Sequence, residues 1–325
     1  MAMKDRILDF LRGGGFVSGE DLSVRLKVSR TAVWKNINSL REQGYEIDSV
    51  TNRGYRLVSC PDVLTPGENS PGLNTRLLGT KVYCFDSVDS TNEEAKRQAL
   101  AGAPDGSVFV SERQTGGKGR LGRGWNSPPG TGLWFSVLLR PGSVPARVSA
   151  TTLLAGYAVR SAIRESTDCP AMIKWPNDIV IGPRKVCGIL TEMSAEMERV
   201  EFVVVGIGVN VNNAQFPEGL KEKATSLFLQ CGKTVRRTAL LGEILRRFEK
   251  LLEENRDGLS SAFLAEYKKS CVSLNRTVSF ERNGFAASGT AVDISPEGEL
   301  VVAMPDGTLT TVYSGEVSVQ GFYGK

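Results

Sequence analysis

The chain has 325 residues, a formal net charge of +4 and no histidine. Without histidine there are no imidazole general bases, Ser-His-Asp triads or histidine-ligated metals, so any chemistry must use Lys, Arg, Asp, Glu, hydroxyl groups and the backbone. The six cysteines stand singly and indicate reduced thiols of a cytoplasmic protein, and the most apolar helical stretch, 146–163, contains two arginines and does not predict a membrane span.

Residues 1–60 predict a small helical unit that ends in a hairpin. Three amphipathic helices are expected, and on the third Val33, Ile37 and Leu40 share one face. Asn52-Arg53-Gly54 then predicts a hairpin turn. Three helices followed by a basic hairpin is the order of a winged helix-turn-helix domain.

The outward face of the third helix and the tip of the hairpin predict contacts with DNA, because cationic and polar side chains there suit phosphate and base-edge contacts. The alternative is a helical domain used for protein contacts, in which Trp34 covers the core. The residues predicted to contact DNA are Arg30, Thr31, Trp34, Lys35, Asn38 and Arg53.

Three further regions follow the helical unit. Residues 61–78, with several prolines and glycines, predict a linker, and residues 79–272 predict an α+β domain with a mixed sheet. Residues 273–325 contain three hairpin signals and predict a small β-barrel. In the middle region, helices are expected near 93–101, 146–165, 238–255 and 259–269, and strands near 81–85, 108–111, 133–139, 171–175, 179–181, 186–192 and 202–211.

Residues 114–125 contain five glycines and three cations and end in Trp125. This composition predicts a loop that closes over an anion, with Lys118, Arg120 and Arg123 near phosphate oxygens. The embedded Gly-x-Gly-x-x-Gly does not predict a dinucleotide fold, because the prolines that follow prevent the helix that such a fold requires. A solvated surface turn is the alternative.

The segment Asp89–Glu94 predicts the start of a helix. Thr91 and Glu94 have the spacing of a capping box, which leaves Ser90 and Asn92 free to hydrogen-bond a polar ligand. Plain helix capping without a ligand is an equally good interpretation.

Two later motifs place polar groups at strand ends. Lys174-Trp-Pro-Asn-Asp178 predicts a turn that puts Lys174 and Asp178 at one end of the sheet. A hairpin with polar side chains that bind no ligand would have the same pattern. Gly206-Ile-Gly-Val-Asn210 ends a strand with glycines that allow close approach of a ligand and with an amide suited to a purine edge.

Taken in order, these motifs resemble the bacterial bifunctional biotin protein ligases, enzymes that also repress biotin synthesis genes. The resemblance extends over the whole chain and implies an α+β protein with a winged helix-turn-helix, a class II synthetase-like ligase domain and an SH3-like C-terminal β-barrel. Lys118 stands where the family usually has arginine, which keeps the charge and loses the planar fork. The motifs that carry the resemblance are Ser90-Thr91-Asn92, Gln114, Gly117 to Arg123, Lys174 to Asp178, Arg184-Lys185 with Gly188, and Gly206 to Asn210.

The resemblance implies a two-step reaction. ATP and biotin, with Mg²⁺, give biotinyl-5′-AMP and pyrophosphate, and biotin then passes to a lysine of the biotin carboxyl carrier domain of acetyl-CoA carboxylase or a similar protein. Because biotin's own carboxylate attacks the α-phosphate, no protein nucleophile is needed. Lys185, Arg120 and Asp178 are the expected catalytic residues, and Asp178 either helps to hold Mg²⁺ or accepts the proton of the incoming lysine.

The resemblance also implies binding residues and a regulatory state. A homodimer that forms with the adenylate bound would bring two winged helices to a palindromic operator DNA. The rival interpretations are a non-catalytic biotin-sensing transcription factor and a lipoate ligase, which normally lacks the N-terminal unit. The expected biotin-binding residues are Ser90, Thr91, Asn92, Gln114, Lys118, Gly119, Arg120, Lys185 and Gly188, and the expected ATP-binding residues are Arg120, Arg123, Trp125, Lys174, Asn177 and Asn210.

Overall fold

A computed structural model describes residues 3–65, 74–141, 148–196, 199–282, 284–313 and 317–323. The chain divides into two compact units, Met1–Val63 and Leu64–Lys325. Residues 66–73 of the predicted linker and the first residues of the helix expected at 146–165 lie outside the described part.

The first unit is a helix-turn-helix with a hairpin, as predicted. Helices α2 and α3 each begin after a serine, because the hydroxyl oxygens of Ser18 and Ser29 accept hydrogen bonds from the third following N–H, at 2.9 and 3.2 Å. Val33, Ile37 and Leu40 are buried in its core. The elements are α1 (Met3–Leu11), α2 (Gly19–Leu26), α3 (Arg30–Glu42), β1 (Glu46–Val50) and β2 (Gly54–Ser59).

A seven-stranded mixed sheet forms the centre of the second unit, in the order β3-β4-β5-β9-β8-β7-β6. β3 and β4 are parallel, and the other neighbours are antiparallel. The predicted α+β class is therefore confirmed. The strands are β3 (Val82–Phe85), β4 (Val108–Ser111), β5 (Gly132–Leu139), β6 (Met172–Lys174), β7 (Asp178–Ile181), β8 (Arg184–Glu196) and β9 (Arg199–Asn210).

Helices cover both faces of this sheet. Phe135 and Val137 of β5 belong to the same buried cluster as residues of α5 and α7, whereas Leu138 packs with Ala95 and Ala99 of α4. Every residue of β5 is buried, which explains its continuous apolar sequence. The helices are α4 (Thr91–Leu100), α5 (Val148–Thr167), α6 (Leu227–Cys231), α7 (Arg237–Glu254) and α8 (Ser261–Ser270), of which α6 was not expected.

The C-terminal part, expected to be a small barrel, forms a five-stranded antiparallel sheet in the order β13-β12-β11-β10-β14. From Leu64 onward, the described residues of the predicted linker belong to the second unit. Leu64 and Leu78 are buried there, and the Glu249 carboxylate accepts three backbone hydrogen bonds from residues 76–78. The strands are β10 (Thr277–Arg282), β11 (Phe285–Ile294), β12 (Leu300–Ala303), β13 (Leu309–Val312) and β14 (Ser318–Val319).

Candidate active site

The glycine-rich segment 114–125 folds back on itself. The N–H of Gly119 donates to the carbonyl of Arg123 at 2.6 Å, and the N–H of Trp125 donates to the carbonyl of Gly117 at 2.8 Å. A Cβ atom at Gly117 would lie 2.6 Å from the carbonyl oxygen of Trp125, so this close approach requires glycine. These backbone hydrogen bonds across the segment give it a closed, folded loop conformation rather than that of an extended surface turn.

Two neighbouring cavities meet at this loop. The inner cavity is lined by the start of α4 and by strands β8 and β9. The outer cavity is the larger of the two and is also lined by β14 and the segment after β9. The two cavities share part of their lining, here called the shared wall, so a ligand that occupied both would pass along these residues. The residues that line both cavities are Gly119, Arg120, Trp125, Asn177 and Lys185.

Each of the two sets of predicted binding residues lines one of the two cavities, and some of their members line both. All nine expected biotin-binding residues line the inner cavity: Ser90, Thr91, Asn92, Gln114, Lys118, Gly119, Arg120, Lys185 and Gly188. All six expected ATP-binding residues line the outer one: Arg120, Arg123, Trp125, Lys174, Asn177 and Asn210. The third expected catalytic residue, Asp178, also lines the outer cavity. Sequence motifs that lie far apart in the chain thus converge on one pair of cavities.

The start of α4 differs from the predicted capping box. Ser90, not Thr91, is the N-cap residue, and its side chain makes no capping hydrogen bond. Instead, the N–H and hydroxyl of Thr91 both donate to Oε1 of Gln114, at 2.8 and 3.1 Å. Gln114 takes the place of the cap because the bridge between Val88 and Gln114 brings the loop against the helix start.

Asn92 is not free for a ligand, contrary to expectation. Its amide nitrogen donates to Glu192 Oε2 at 2.7 Å and to the Leu190 carbonyl at 3.2 Å, and its amide oxygen accepts from the Ser136 hydroxyl at 2.6 Å. Only 4% of the residue is exposed. Asn92 therefore supports the floor of the inner cavity by joining α4 to two strands.

The Lys118 ammonium group does not point to the outer cavity, where phosphates are expected. Its Nζ donates to Glu93 Oε1 at 2.7 Å, and Lys96 contacts the same oxygen at 3.2 Å. The hydrogen bond from Lys118 is the main reason why the pKa of Glu93 lies below its usual value. The side chain of Lys118 thus ties the loop to α4, while its backbone remains at the inner cavity.

A buried carboxylate and two lysines lie beside the shared wall. Asp178 Oδ1 is 2.5 Å from Lys185 Nζ, Oδ2 is 3.9 Å from Lys174 Nζ, and Oδ2 accepts a hydrogen bond from the Tyr323 hydroxyl at 2.7 Å. Burial would raise the pKa of Asp178, but the two ammonium groups and the hydroxyl more than offset this and lower it. Lys185 Nζ also lies 5.1 Å from the ring centroid of Trp125.

Two other residues predicted to bind the nucleotide, Arg120 and Asn210, donate hydrogen bonds within the chain. Arg120 donates to the amide oxygen of Asn177 at 2.9 Å, which holds the loop against β7 and β8. The amide nitrogen of Asn210, expected to read a purine, donates to the Thr225 carbonyl at 3.1 Å. The Nε1 of Trp125 is buried against Gly208 and has no hydrogen-bond partner.

Asp178 does not fit the expected role of magnesium ligand. Oδ2 accepts from the Tyr323 hydroxyl, and a cation at Oδ1 would lie beside the Lys185 and Lys174 ammonium groups. The described residues contain no group of three acidic, cysteine or histidine side chains that could hold a metal ion. The surroundings of Asp178 therefore suit an ion pair with Lys185 better than a magnesium ion.

All the residues predicted to contact DNA lie in the first unit. Thr31, Trp34 and Lys35 of α3 are exposed, with Trp34 53% exposed, so this side chain does not cover the core. Arg30 pairs with Glu20, and Asn38 accepts from Arg41, each at 3.3 Å; Arg53 lies over the Phe16 ring at 4.4 Å. The exposed face of α3 and the hairpin tip thus present the expected polar and cationic groups.

Several residues at the outer cavity were not anticipated. Val317, Phe322 and Tyr323 come from the C-terminal part, and Phe216 and Lys223 from the segment after β9. The sequence around them has no motif that indicates a site.

In the described part of the chain, none of the helices is both long and apolar enough to cross a membrane.

Three family models match successive regions of the chain. Residues 4–56 match a helix-turn-helix (HTH) domain, residues 84–210 match the biotin/lipoate A/B protein ligase family, and residues 273–320 match the biotin protein ligase C-terminal domain. The second match contains the glycine-rich loop and strands β6 to β9, which line the cavities.

Individual relatives agree with these matches. The bifunctional ligase/repressor BirA of Bacillus subtilis is 37% identical over 97% of this chain and 98% of its own length, and that of Escherichia coli is 28% identical over 97% and 96%. A solved biotin protein ligase from Aquifex aeolicus, in complex with biotin and ATP, matches 74% of this chain and 99% of its own, with 32% identity and a TM-score of 0.66. The chain therefore belongs to the bifunctional ligase/repressor family of biotin protein ligases.

Proposed function

We propose that the chain activates biotin with ATP and transfers it to a lysine of a carrier protein, and that its N-terminal unit binds operator DNA. The observation that carries the enzymatic proposal is the wall shared by the two cavities. An inner ligand with a carboxylate and an outer nucleotide with an α-phosphate would meet there, beside Lys185 and Arg120. Both substrates are anionic, and these two cations offset their repulsion.

In the first step, an oxygen of the biotin carboxylate forms a bond with the α-phosphorus of ATP, and the bond to pyrophosphate breaks. The products are biotinyl-5′-AMP and pyrophosphate. The chain contributes position and charge, with Lys185 at the carboxylate and α-phosphate and Arg120 and Arg123 at the phosphates. Magnesium would enter with ATP as its phosphate complex.

In the second step, a lysine amine of the carrier attacks the carbonyl carbon of the adenylate, the bond to the AMP phosphate oxygen breaks, and the amine proton passes to the leaving AMP or to water. Asp178 is poorly suited to remove the proton of this amine, because its pKa is lowered and a good general base has a pKa near the working pH. We assign Asp178 instead to holding Lys185 in place. The proposed acceptor is the biotin carboxyl carrier domain of acetyl-CoA carboxylase or a similar protein.

The acyl adenylate is a mixed anhydride that water destroys, so a loop that closes over it has a physical purpose. The contact of Lys118 with Glu93 and that of Arg120 with Asn177 support this closed position.

The N-terminal unit supports a second activity. Its exposed α3 face and hairpin suit operator DNA, and we propose that adenylate-bound chains form a homodimer that occupies a two-fold symmetric operator. The corresponding location is the cytoplasm, where ATP, carrier protein and DNA are available together.

Biotin-dependent exchange of labelled pyrophosphate into ATP tests the enzymatic proposal. Exchange with biotin and little exchange with lipoate is expected. Exchange with lipoate alone would support a lipoate ligase, and no exchange with either would support a non-catalytic sensor. Equal operator affinity with and without biotin and ATP would overturn the proposed regulation.

A further inference from the structure

The two oxygens of the buried Asp178 carboxylate have different partners. Oδ1 contacts Lys185 Nζ at 2.5 Å, and Oδ2 accepts the hydroxyl hydrogen of Tyr323 at 2.7 Å. Lys174 Nζ lies at 3.9 Å from Oδ2, just beyond hydrogen-bond distance. Asp178 is therefore close to two ammonium groups, and its orientation determines which of them it contacts.

Tyr323 is held at this position by the turn that joins the strands of Asp178 and Lys185. Its N–H donates to the carbonyl of Pro183 at 3.1 Å, and Pro183 lies between β7 and β8. Its φ of +60° is unusual for a residue other than glycine. Such backbone strain persists where the surroundings determine the conformation, and it concentrates at functional sites.

Tyr323 also lies beside Lys174, the second ammonium group near the carboxylate. Lys174 Nζ lies 5.0 Å from the centroid of the Tyr323 ring and donates to the Val317 carbonyl at 3.0 Å. Burial and the neighbouring Asp178 raise the pKa of Tyr323, so its hydroxyl stays protonated and donates. The Tyr323 hydroxyl thus donates a hydrogen bond to Oδ2 of Asp178, and the Tyr323 ring lies beside Lys174, which could compete for the same oxygen.

We propose that Tyr323 is a positioning residue for adenylation, which orients Asp178 so that Oδ1 holds Lys185 at the wall between the cavities. Without the hydroxyl, Oδ2 would lack its donor, and a buried carboxylate does not remain unpaired. Lys174 is the nearest replacement, and a rotation of Asp178 toward it would release Lys185. This inference rests on the proposed function, because Lys185 matters here as the cation at the reacting phosphate.

The test is the substitution Tyr323→Phe, which removes the hydroxyl and keeps the ring. The matched control is Tyr313→Phe, the same chemical change at a tyrosine that is 67% exposed. Because hydrogen bonds to charged groups are strong, kcat of biotin-dependent pyrophosphate exchange should fall about tenfold in Tyr323→Phe. The KM values for biotin and ATP should change less than about twofold, since the hydroxyl donates to Asp178 and the ring that lines the cavity is kept.

A second pair of variants tests the competing lysine. In a Lys174→Met background, Tyr323→Phe should lower kcat by much less than it does in the wild type, because no ammonium group other than that of Lys185 remains to take Oδ2. An undiminished effect in that background would contradict the proposed competition.

The outcomes separate this inference from the proposed function. If the wild type exchanges pyrophosphate and Tyr323→Phe matches it, the positioning role is wrong and the enzyme assignment stands. A parallel rise of both KM values with a lower melting temperature would indicate a purely structural role and would also overturn the inference. No exchange by the wild type would overturn the proposed function itself.

Discussion

The substitution Gly206→Ala should weaken the floor of the inner cavity. Gly206 pairs with Ser136 across β5 and β9, and the side chain of Asn92 passes directly over it. An added Cβ atom would lie 2.1 Å from Oδ1 of Asn92 and 2.8 Å from its Cγ, so the amide would have to move.

The size of the effect follows from what Asn92 would lose. The shift would break both its contact with Ser136 at 2.6 Å and its contact with Glu192 at 2.7 Å. Two hydrogen bonds at about 1 kcal/mol each, with overpacking of at least about 1 kcal/mol, lower the free energy of unfolding by about 3 kcal/mol. For a domain of this size, this corresponds to a decrease of about 10 °C in Tm.

Thermal unfolding of purified variants measures this directly. The control is Gly156→Ala in helix α5, where the added Cβ would meet Ile189 and Ile179 at ordinary contact distances of 3.7 and 4.0 Å. This control should unfold at or above the wild-type temperature, because alanine favours a helix over glycine. If Gly206→Ala proved as stable as Gly156→Ala, the role assigned to Asn92 would be wrong.

Three further substitutions test other parts of the account. Lys118→Met, which removes the contact with Glu93, should speed hydrolysis of the bound adenylate; the same hydrolysis rate as in the wild type would show that this contact does not hold the loop. Gly208→Ala would place a Cβ 2.5 Å from Nε1 of Trp125 and should raise the KM for ATP, measured by pyrophosphate exchange; an unchanged KM would separate Trp125 from nucleotide binding. Lys35→Ala should weaken operator binding in a gel-shift assay and leave ligation intact, and loss of both activities would contradict separate functional units.

Short-range patterns predicted the elements that carry the site. The apolar spacing of Val33, Ile37 and Leu40 identified the buried face of α3, and the continuous apolar run in 133–139 identified a central strand. These predictions succeeded because burial of a face depends mainly on the local order of apolar and polar residues. The ordered motifs identified the family for the same reason, since each lies within a few consecutive residues.

Side-chain partners were much harder to predict. Thr91 and Glu94 have the spacing of a capping box, yet the acceptor beside Thr91 is Gln114, which only the folded loop brings there. Lys118 looked like a phosphate ligand and instead contacts Glu93. In both cases a partner from another element replaced the one that local spacing indicated.

The contribution of the C-terminal part was invisible in the sequence. Tyr323 and Asp178 are 145 residues apart, and no pattern near either indicates the other. The strands β8 and β9 also extend beyond the predicted 186–192 and 202–211, because pairing with each other recruits polar residues that have no apolar signal of their own.

The central claim is that Lys185 acts at the meeting point of carboxylate and α-phosphate, and the variant Lys185→Ala tests it most directly. Biotin binding and the rate of adenylate formation should be measured on the same protein. Loss of a preorganised charge at the reacting centre should slow adenylation about a hundredfold or more, while the affinity for biotin falls much less. Adenylation near the wild-type rate would contradict the account.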